Sequence, residues 1–135
     1  MDLELATLFG ELDPCVYVID CLPNMVAEKV TERAGEFVRI LREARPETPI
    51  LLAEDRTYSQ ALFVEPQRVR NETSRAALLA VYEGLMAEGI EGVHYLPGDG
   101  LLNGDAEGTV DGSHPTDLGF VQQANAFEPV LRSLL

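Results

Sequence analysis

Residues 15–20 read CVYVID, and together with the segment that follows them they decide the fold. Their nearly continuous apolar run predicts a buried strand. After a turn at Pro23-Asn24, apolar residues recur at spacings of three and four until Pro46, which predicts an amphipathic helix over residues 25–45. A buried strand followed directly by so long a helix is typical of a chain that builds a parallel sheet.

The same alternation extends in both directions from this stretch. It predicts helices over 3–12, 66–89 and 116–133, and strands over 49–53 and 92–96, with a Gly-rich loop over 97–113. We therefore expect an α/β fold, a three-layer flavodoxin-like parallel sheet with helices on both faces. Because 135 residues can bury one core and are too few for two, residues 1–135 should form a single domain.

Composition excludes several classes of partner. The net charge is −13 and the ten basic residues are scattered among acids, so neither nucleic acid nor an anionic membrane is an expected partner. No apolar run is long enough to span a bilayer, and the first residues have no basic start, which predicts a cytoplasmic protein for the chain as written. If the true N-terminus lies upstream, the compartment is unknown. Cys15 and Cys21 would lie roughly 20 Å apart in one strand, which predicts reduced core thiols and no disulfide.

The chemistry should lie where the strands end. In parallel sheets ligands bind beyond the carboxyl ends of the strands, and the segments expected there are 20–25, 54–58 and 97–114. The two histidines and the scattered carboxylates match no metal-ligand spacing, so no metal and no cofactor are expected. Arg56 has two interpretations, contact with a substrate or an ion pair with the neighbouring Glu54 and Asp55, and the ion pair is favoured.

Asp111 and His114 are three residues apart in the Gly-rich loop, just before the last helix. This spacing lets the carboxylate reach one ring nitrogen and leaves the other free, as a hydrolase base and its orienting acid require. The alternative is an Asx-type helix entry beside a surface histidine. Asn24 could likewise aim an amide donor at developing negative charge, or simply cap the helix that follows.

Two of these segments carry a family resemblance. The run DGSHPTDLG at 111–119 resembles the last conserved block of the SGNH (GDSL-like) hydrolases, and VIDCLPNM at 18–25 is similar to their third block. The resemblance implies an acyl-ester hydrolase with a Ser-His-Asp mechanism, in which His114 is the general base, Asp111 orients it and Asn24 donates to the oxyanion. It also implies small-molecule esters, such as acylated carbohydrates or lipids, as substrates.

The chain departs from this family at its beginning. The Gly-Asp-Ser block with the nucleophile and the block with an oxyanion Gly are both missing, and no serine follows a buried strand in a tight Gly-flanked turn. Cys21 is a conceivable thiol nucleophile, although a buried structural thiol is the favoured interpretation. The chain thus resembles the last two-thirds of such a domain, truncated to about three strands, with Met1 as an internal methionine. The nucleophile stays unidentified.

A truncated sheet has a consequence for assembly, and the missing nucleophile leaves alternatives for the function. Its exposed strand edge should pair with another chain, so we expect self-association. A catalytically inactive binding or assembly module, or a fragment with the same fold, is the main alternative to an esterase. A plain flavodoxin-like binding domain is a further alternative, and it predicts that Asp111 and His114 are not within hydrogen-bonding distance.

Overall fold

A computed structural model describes all 135 residues and contains the seven predicted elements in the predicted order. The helices are α1 (Leu3–Gly10), α2 (Ala27–Ala44), α3 (Glu65–Ala87) and α4 (Asp117–Leu134), and the strands are β1 (Tyr17–Ile19), β2 (Ile50–Ala53) and β3 (Val93–Leu96). Short 3₁₀ turns cover Leu22–Asn24, Ser59–Leu62 and Gly98–Gly100. The main difference is β1, which is half as long as the strand predicted over residues 15–20.

The three strands form one parallel sheet in the order β1-β2-β3. Tyr17 lies opposite Ile50, which in turn lies opposite Val93. Because α2 and α3 carry the chain from each strand to the next, the strands all point the same way and their carboxyl ends meet at one edge of the sheet. The predicted α/β parallel architecture is confirmed.

Two apolar clusters give the fold its three layers. On one face, side chains of all three strands, among them Ile19, Ile50 and Val93, pack against α1, α2 and α3. On the other face, Leu51 and Ala53 pack with residues 126–134 of α4. Successive residues of β2 face alternately towards these two clusters. All four of its residues are therefore buried.

Strand β1 is less protected than predicted. Helix α4 packs against β2 and β3 but does not extend over β1. Val18, which lies on that face of β1, is 40% exposed. The outer edge of β1 has no neighbouring strand. Beside it an apolar cavity of about 350 Å³ is lined by residues of α1 and β1 and by Phe37. The expectation that helices cover both faces of the sheet therefore holds for β2 and β3 but is wrong for β1.

The cysteines also differ from the prediction. Both are free thiols, but Cys15 is exposed and Cys21 is only partly buried. The core-thiol prediction is wrong for Cys15 because β1 begins two residues later, at Tyr17, so that Cys15 lies in the preceding turn. None of the helices combines the length and the apolar character that crossing a lipid bilayer requires.

Candidate active site

Asp111 and His114 form a hydrogen-bonded pair. Nδ1 of His114 lies 2.7 Å from Oδ2 of Asp111, and Oδ1 of Asp111 accepts the backbone N–H groups of Ser113 at 2.9 Å and His114 at 2.8 Å. The hydrogen bond from the His114 backbone and that from its ring hold the pKa of Asp111 well below its ordinary value. An ionised Asp111 selects the tautomer with the proton on Nδ1, and Nε2 stays free to accept a proton.

This contact bears on the alternatives. The plain binding-domain interpretation expects Asp111 and His114 to be apart, and that expectation is wrong. The Asx-type helix entry is present as well, since Asp111 accepts two backbone N–H groups just before α4. The two interpretations are therefore compatible, because one carboxylate oxygen serves the turn and the other serves the ring.

The loop that carries the pair is held from one side by the segment after β2. Nε of Arg56 donates to the carbonyl of Ser113 at 2.5 Å, the Ser59 backbone N–H donates to the carbonyl of Gly112 at 3.0 Å, and Nε2 of Gln60 donates to the carbonyl of Asp111 at 2.5 Å. Gly112 has a φ of +90°, and a Cβ there would collide with the Gln60 side chain. Three successive carbonyls are thus anchored, which limits the movement of the His114 ring.

Asn24 closes the 3₁₀ turn after β1, and it does not cap α2. That helix begins at Ala27 and the residue at its N-cap position is Val26, so the capping alternative is wrong. The Asn24 side chain is exposed and makes no hydrogen bond within the protein, which leaves its amide donors available. It lines the same cleft as His114.

That cleft, of about 630 Å³, lies beyond the carboxyl ends of the strands. Parts of all three segments predicted to converge there do so. Its wall is mostly polar, and it is made by Asp20, Pro23, Asn24, Arg56, Tyr58, Pro66, Gln67, Arg70, Ser113 and His114. Gln60, Gln67 and Arg70 have no local signal in the sequence. Residues 56–65 have no periodic pattern, and Gln67 and Arg70 lie on an otherwise ordinary helix.

Buried charge beneath the cleft is balanced locally. Nη1 of Arg56 lies 3.4 Å from Oδ1 of Asp55, so the ion pair predicted for Arg56 is confirmed with Asp55. Glu54 instead faces Arg75, at 3.7 Å. Burial raises the pKa of Asp55, although hydrogen bonding with Tyr58 and the charge of Arg56 oppose it. Burial and the bond to Asp55 raise the pKa of Tyr58 to about 12, so Tyr58 is a neutral hydrogen-bonding group at ordinary pH.

None of the four serine hydroxyls is hydrogen-bonded to His114. The hydroxyl of Ser59 bonds to Thr109 at 2.9 Å, that of Ser74 donates to the carbonyl of Met25 at 3.1 Å, and that of Ser113 lies 3.4 Å from Arg56. Ser133 lies on α4 and bonds to the carbonyl of Val130.

Cys21 is a poor substitute. Burial raises the pKa of its thiol, which disfavours the nucleophilic thiolate, and Cys21 is not part of the cleft wall. The cleft is therefore lined by His114, whose ring bonds to Asp111, and by Asn24, whose side-chain amide makes no hydrogen bond within the protein. Elsewhere, no group of three or more His, Cys, Asp or Glu side chains is arranged to hold a metal ion.

The chain that carries this cleft is similar to known proteins in sequence and in structure. The family model described as GDSL-like Lipase/Acylhydrolase family matches residues 1–132. The crystal structure of a protein described as a GDSL-like lipase from Bacteroides ovatus superimposes with a TM-score of 0.95 at 29% identity, over 99% of this chain and 40% of that one. A salicylyl-acyltransferase from a tetracycline biosynthetic pathway matches with a TM-score of 0.77 at 20% identity, over 98% of this chain and 41% of that one, and shares the fold.

The chain thus spans about two-fifths of the length of both solved structures. No curated protein matches it.

Proposed function

Because the chain belongs to the GDSL-like lipase/acylhydrolase family, we propose that it supplies the acid-base half of an acyl-ester hydrolase. The observation that carries this proposal is the 2.7 Å contact between His114 and Asp111 on the cleft that Asn24 also lines. A base and an amide donor that face one cavity, with an acid bonded to the base, are the groups that acyl transfer to a hydroxyl requires.

The proposed reaction follows the geometry of these three groups. A serine hydroxyl attacks the acyl carbonyl of the ester while Nε2 of His114 takes its proton. Asp111 remains ionised and stabilises the imidazolium through Nδ1–H, and the Asn24 amide donates to the oxyanion of the tetrahedral intermediate. His114 then returns the proton to the alcohol oxygen as it leaves, and water hydrolyses the acyl-enzyme by the same route.

We propose that the serine comes from polypeptide other than these 135 residues. The positions of the four serines and of Cys21 support this, since none is bonded to His114. Ser113 alone among them lines the cleft, and its hydroxyl lies 3.4 Å from Arg56. Both β1 and β3 are edge strands, and we propose that a further strand adds at β1, because β1 runs directly into the turn that carries Asn24. A strand there would end beside the cleft.

The open edge also supports the self-association expected from the sequence. Val18 and the apolar cavity next to it leave nonpolar surface in water, and unpaired backbone groups along β1 can accept another strand. When the 135-residue chain is alone, we propose that a second copy covers this edge.

The two free thiols support a reducing compartment, and we propose the cytoplasm as the place where the protein works. A structural disulfide would have pointed to an oxidising compartment. Fractionation of cells that produce the protein, with immunodetection, tests this location.

Hydrolysis of 4-nitrophenyl acetate tests the esterase proposal. The 135-residue chain should give only background turnover, and a chain extended upstream of the Met1 codon in the same reading frame should be active. In the extended chain, His114→Ala and Asp111→Asn should lower kcat by on the order of 10³–10⁴. Asn24→Ala should lower it by about 10²–10³, as for other oxyanion donors. Asn125→Ala, which changes an exposed amide on α4, should leave it unchanged.

Three outcomes contradict this proposal. Activity that survives His114→Ala would remove the base from its role. A His114-dependent activity of the 135-residue chain alone would show that the nucleophile lies within it. A stop codon directly upstream of Met1 would favour the inactive binding or assembly module.

A further inference from the structure

Arg70 differs from every other basic residue of the chain. Eight of the ten basic side chains have a carboxylate oxygen within 4.0 Å. These are Lys29, Arg33, Arg39, Arg45, Arg56, Arg68, Arg75 and Arg132. Arg42 has no such partner, but it donates to four backbone carbonyls. Arg70 makes a single hydrogen bond, from Nη2 to the carbonyl of Pro23 at 2.7 Å.

An unpaired guanidinium is conspicuous in this protein, which has 23 acidic residues and ten basic ones. A guanidinium carries five N–H donors in a planar fork, so most of the Arg70 donors are uncommitted. Such a fork binds the two oxygens of a carboxylate in parallel. The side chain therefore has both the charge and the donors for an anionic ligand.

Arg70 is also in the right place. It lies near the start of α3 and lines the cleft together with Gln67, Asn24 and His114. Burial raises the pKa of both Asp55 and Tyr58, and the positive charge of Arg70 opposes both shifts. A ligand that reaches His114 would therefore lie within the influence of Arg70.

The other charges in the cleft define which anion fits. Arg56 is already paired with Asp55 and adds no free positive charge. Asp20 lines the same cleft and contributes a carboxylate, whose pKa burial raises while Arg56 opposes that shift. One free guanidinium beside one carboxylate suits a singly charged carboxylate better than a doubly charged phosphate.

The cleft wall argues against a long acyl chain. Pro23, Pro66 and Tyr58 are the lining residues with largely nonpolar side chains, and no Leu, Ile, Val, Met or Phe is among them. Polar ligands should be preferred there, since a buried alkyl chain needs apolar surface to replace water.

From these observations we propose that Arg70 determines specificity, and that the cleft binds small polar esters bearing a carboxylate, which pairs with the Arg70 guanidinium. This proposal rests on the proposed ester hydrolase function. The carbonyl of the ester then lies towards Asn24 and His114. The neutral part of the ligand spans the cleft between them.

Equilibrium binding of two matched esters tests the proposal on the 135-residue chain. Acetoxyacetate carries a carboxylate, and acetoxyacetamide has the same shape without the charge. Titration followed by ¹H–¹⁵N NMR at neutral pH should show the anion binding about tenfold more tightly, the range expected for a charge-assisted hydrogen bond. Arg70→Gln should abolish that preference, and Arg70→Lys should retain part of it.

Arg68→Gln is the matched control, because Arg68 lies on the same helix and pairs with Glu72 outside the cleft. It should keep the full preference. Affinity for the neutral amide should be the same in all four proteins. That result would show that Arg70 acts through its charge on the ligand, and not by holding the cleft in shape through its contact with Pro23. Equal binding of the two esters by the unmodified chain, binding of neither, or an Arg70→Gln protein that keeps the preference would overturn the proposal.

The titration requires no turnover, so a protein that hydrolyses nothing can still satisfy it. Conversely, an extended enzyme with His114-dependent turnover and no Arg70-dependent preference would overturn this inference while the esterase proposal stands.

Discussion

Replacement of Gly112 should destabilise the loop that carries the Asp111–His114 pair. The φ of +90° at Gly112 lies in the left-handed region, which costs a residue with a Cβ about 1–2 kcal/mol. A Cβ would also lie 2.6 Å from both Cδ and Nε2 of Gln60, so the hydrogen bond from Gln60 to the Asp111 carbonyl must break, at about 0.5–1.5 kcal/mol. Gly112→Ala should therefore lower the free energy of unfolding by about 1.5–3.5 kcal/mol.

Urea unfolding followed by circular dichroism measures this change, and two other glycines separate its causes. Gly104 has a φ of +75° with open space around it, so Gly104→Ala should show the backbone cost alone, about 1–2 kcal/mol. Gly84 lies within α3 with nothing near its Cβ position, so Gly84→Ala should stabilise the protein by about 0.5–1 kcal/mol. If Gly112→Ala costs no more than Gly104→Ala, the proposed anchoring by Gln60 is refuted.

Three further predictions test the pair, the sheet edge and the core. Because the pKa of Asp111 is lowered by folding, its stabilising effect is fully present above its unfolded value of about 3.9 and is lost progressively as the pH falls from there through the lower folded pKa, so the difference between thermal melts of the unmodified chain and Asp111→Asn should narrow with increasing acid. A difference that does not narrow as the pH falls would contradict this. Light scattering should show the 14.8 kDa chain as a dimer or larger, and Val18→Glu should shift it to the monomer; a monomeric unmodified chain would exclude the β1 interface. Leu52→Ala should cost about 2–5 kcal/mol in urea unfolding, against under about 0.5 for the exposed Leu62→Ala, and similar values would mean that Leu52 is not a core residue.

The elements were predictable because their patterns are local. The three-and-four spacing of apolar residues in α2 and the short apolar run of β2 both follow from which side chains one face must bury. Helix ends were accurate to a few residues. The error at the start of β1, two residues, was of the same size, but it misplaced Cys15 in the core.

The candidate site was only partly predictable. Asp111 and His114 are close in the chain, so their contact needed only a suitable turn. The alternative roles of Asn24 could not be separated from the sequence, since a Pro-Asn pair starts helices and closes turns equally well. Nothing in the local sequence marks Gln60 or Arg70. Gln60 is distinguished by its hydrogen bond to the Asp111 carbonyl, and Arg70 by having no carboxylate partner, and both depend on the tertiary structure.

By itself the sequence determined the order of strands and helices, the parallel sheet and the pairing of Asp111 with His114. All three depend on short-range spacing, which periodicity and turn geometry translate directly into structure. Only the tertiary structure decided that Asn24 shares a cleft with His114, that residues 56–60 anchor the loop, that Arg70 is left without a carboxylate and that β1 keeps an open edge. These features depend on which distant segments pack together. They are therefore established only when the whole core has formed.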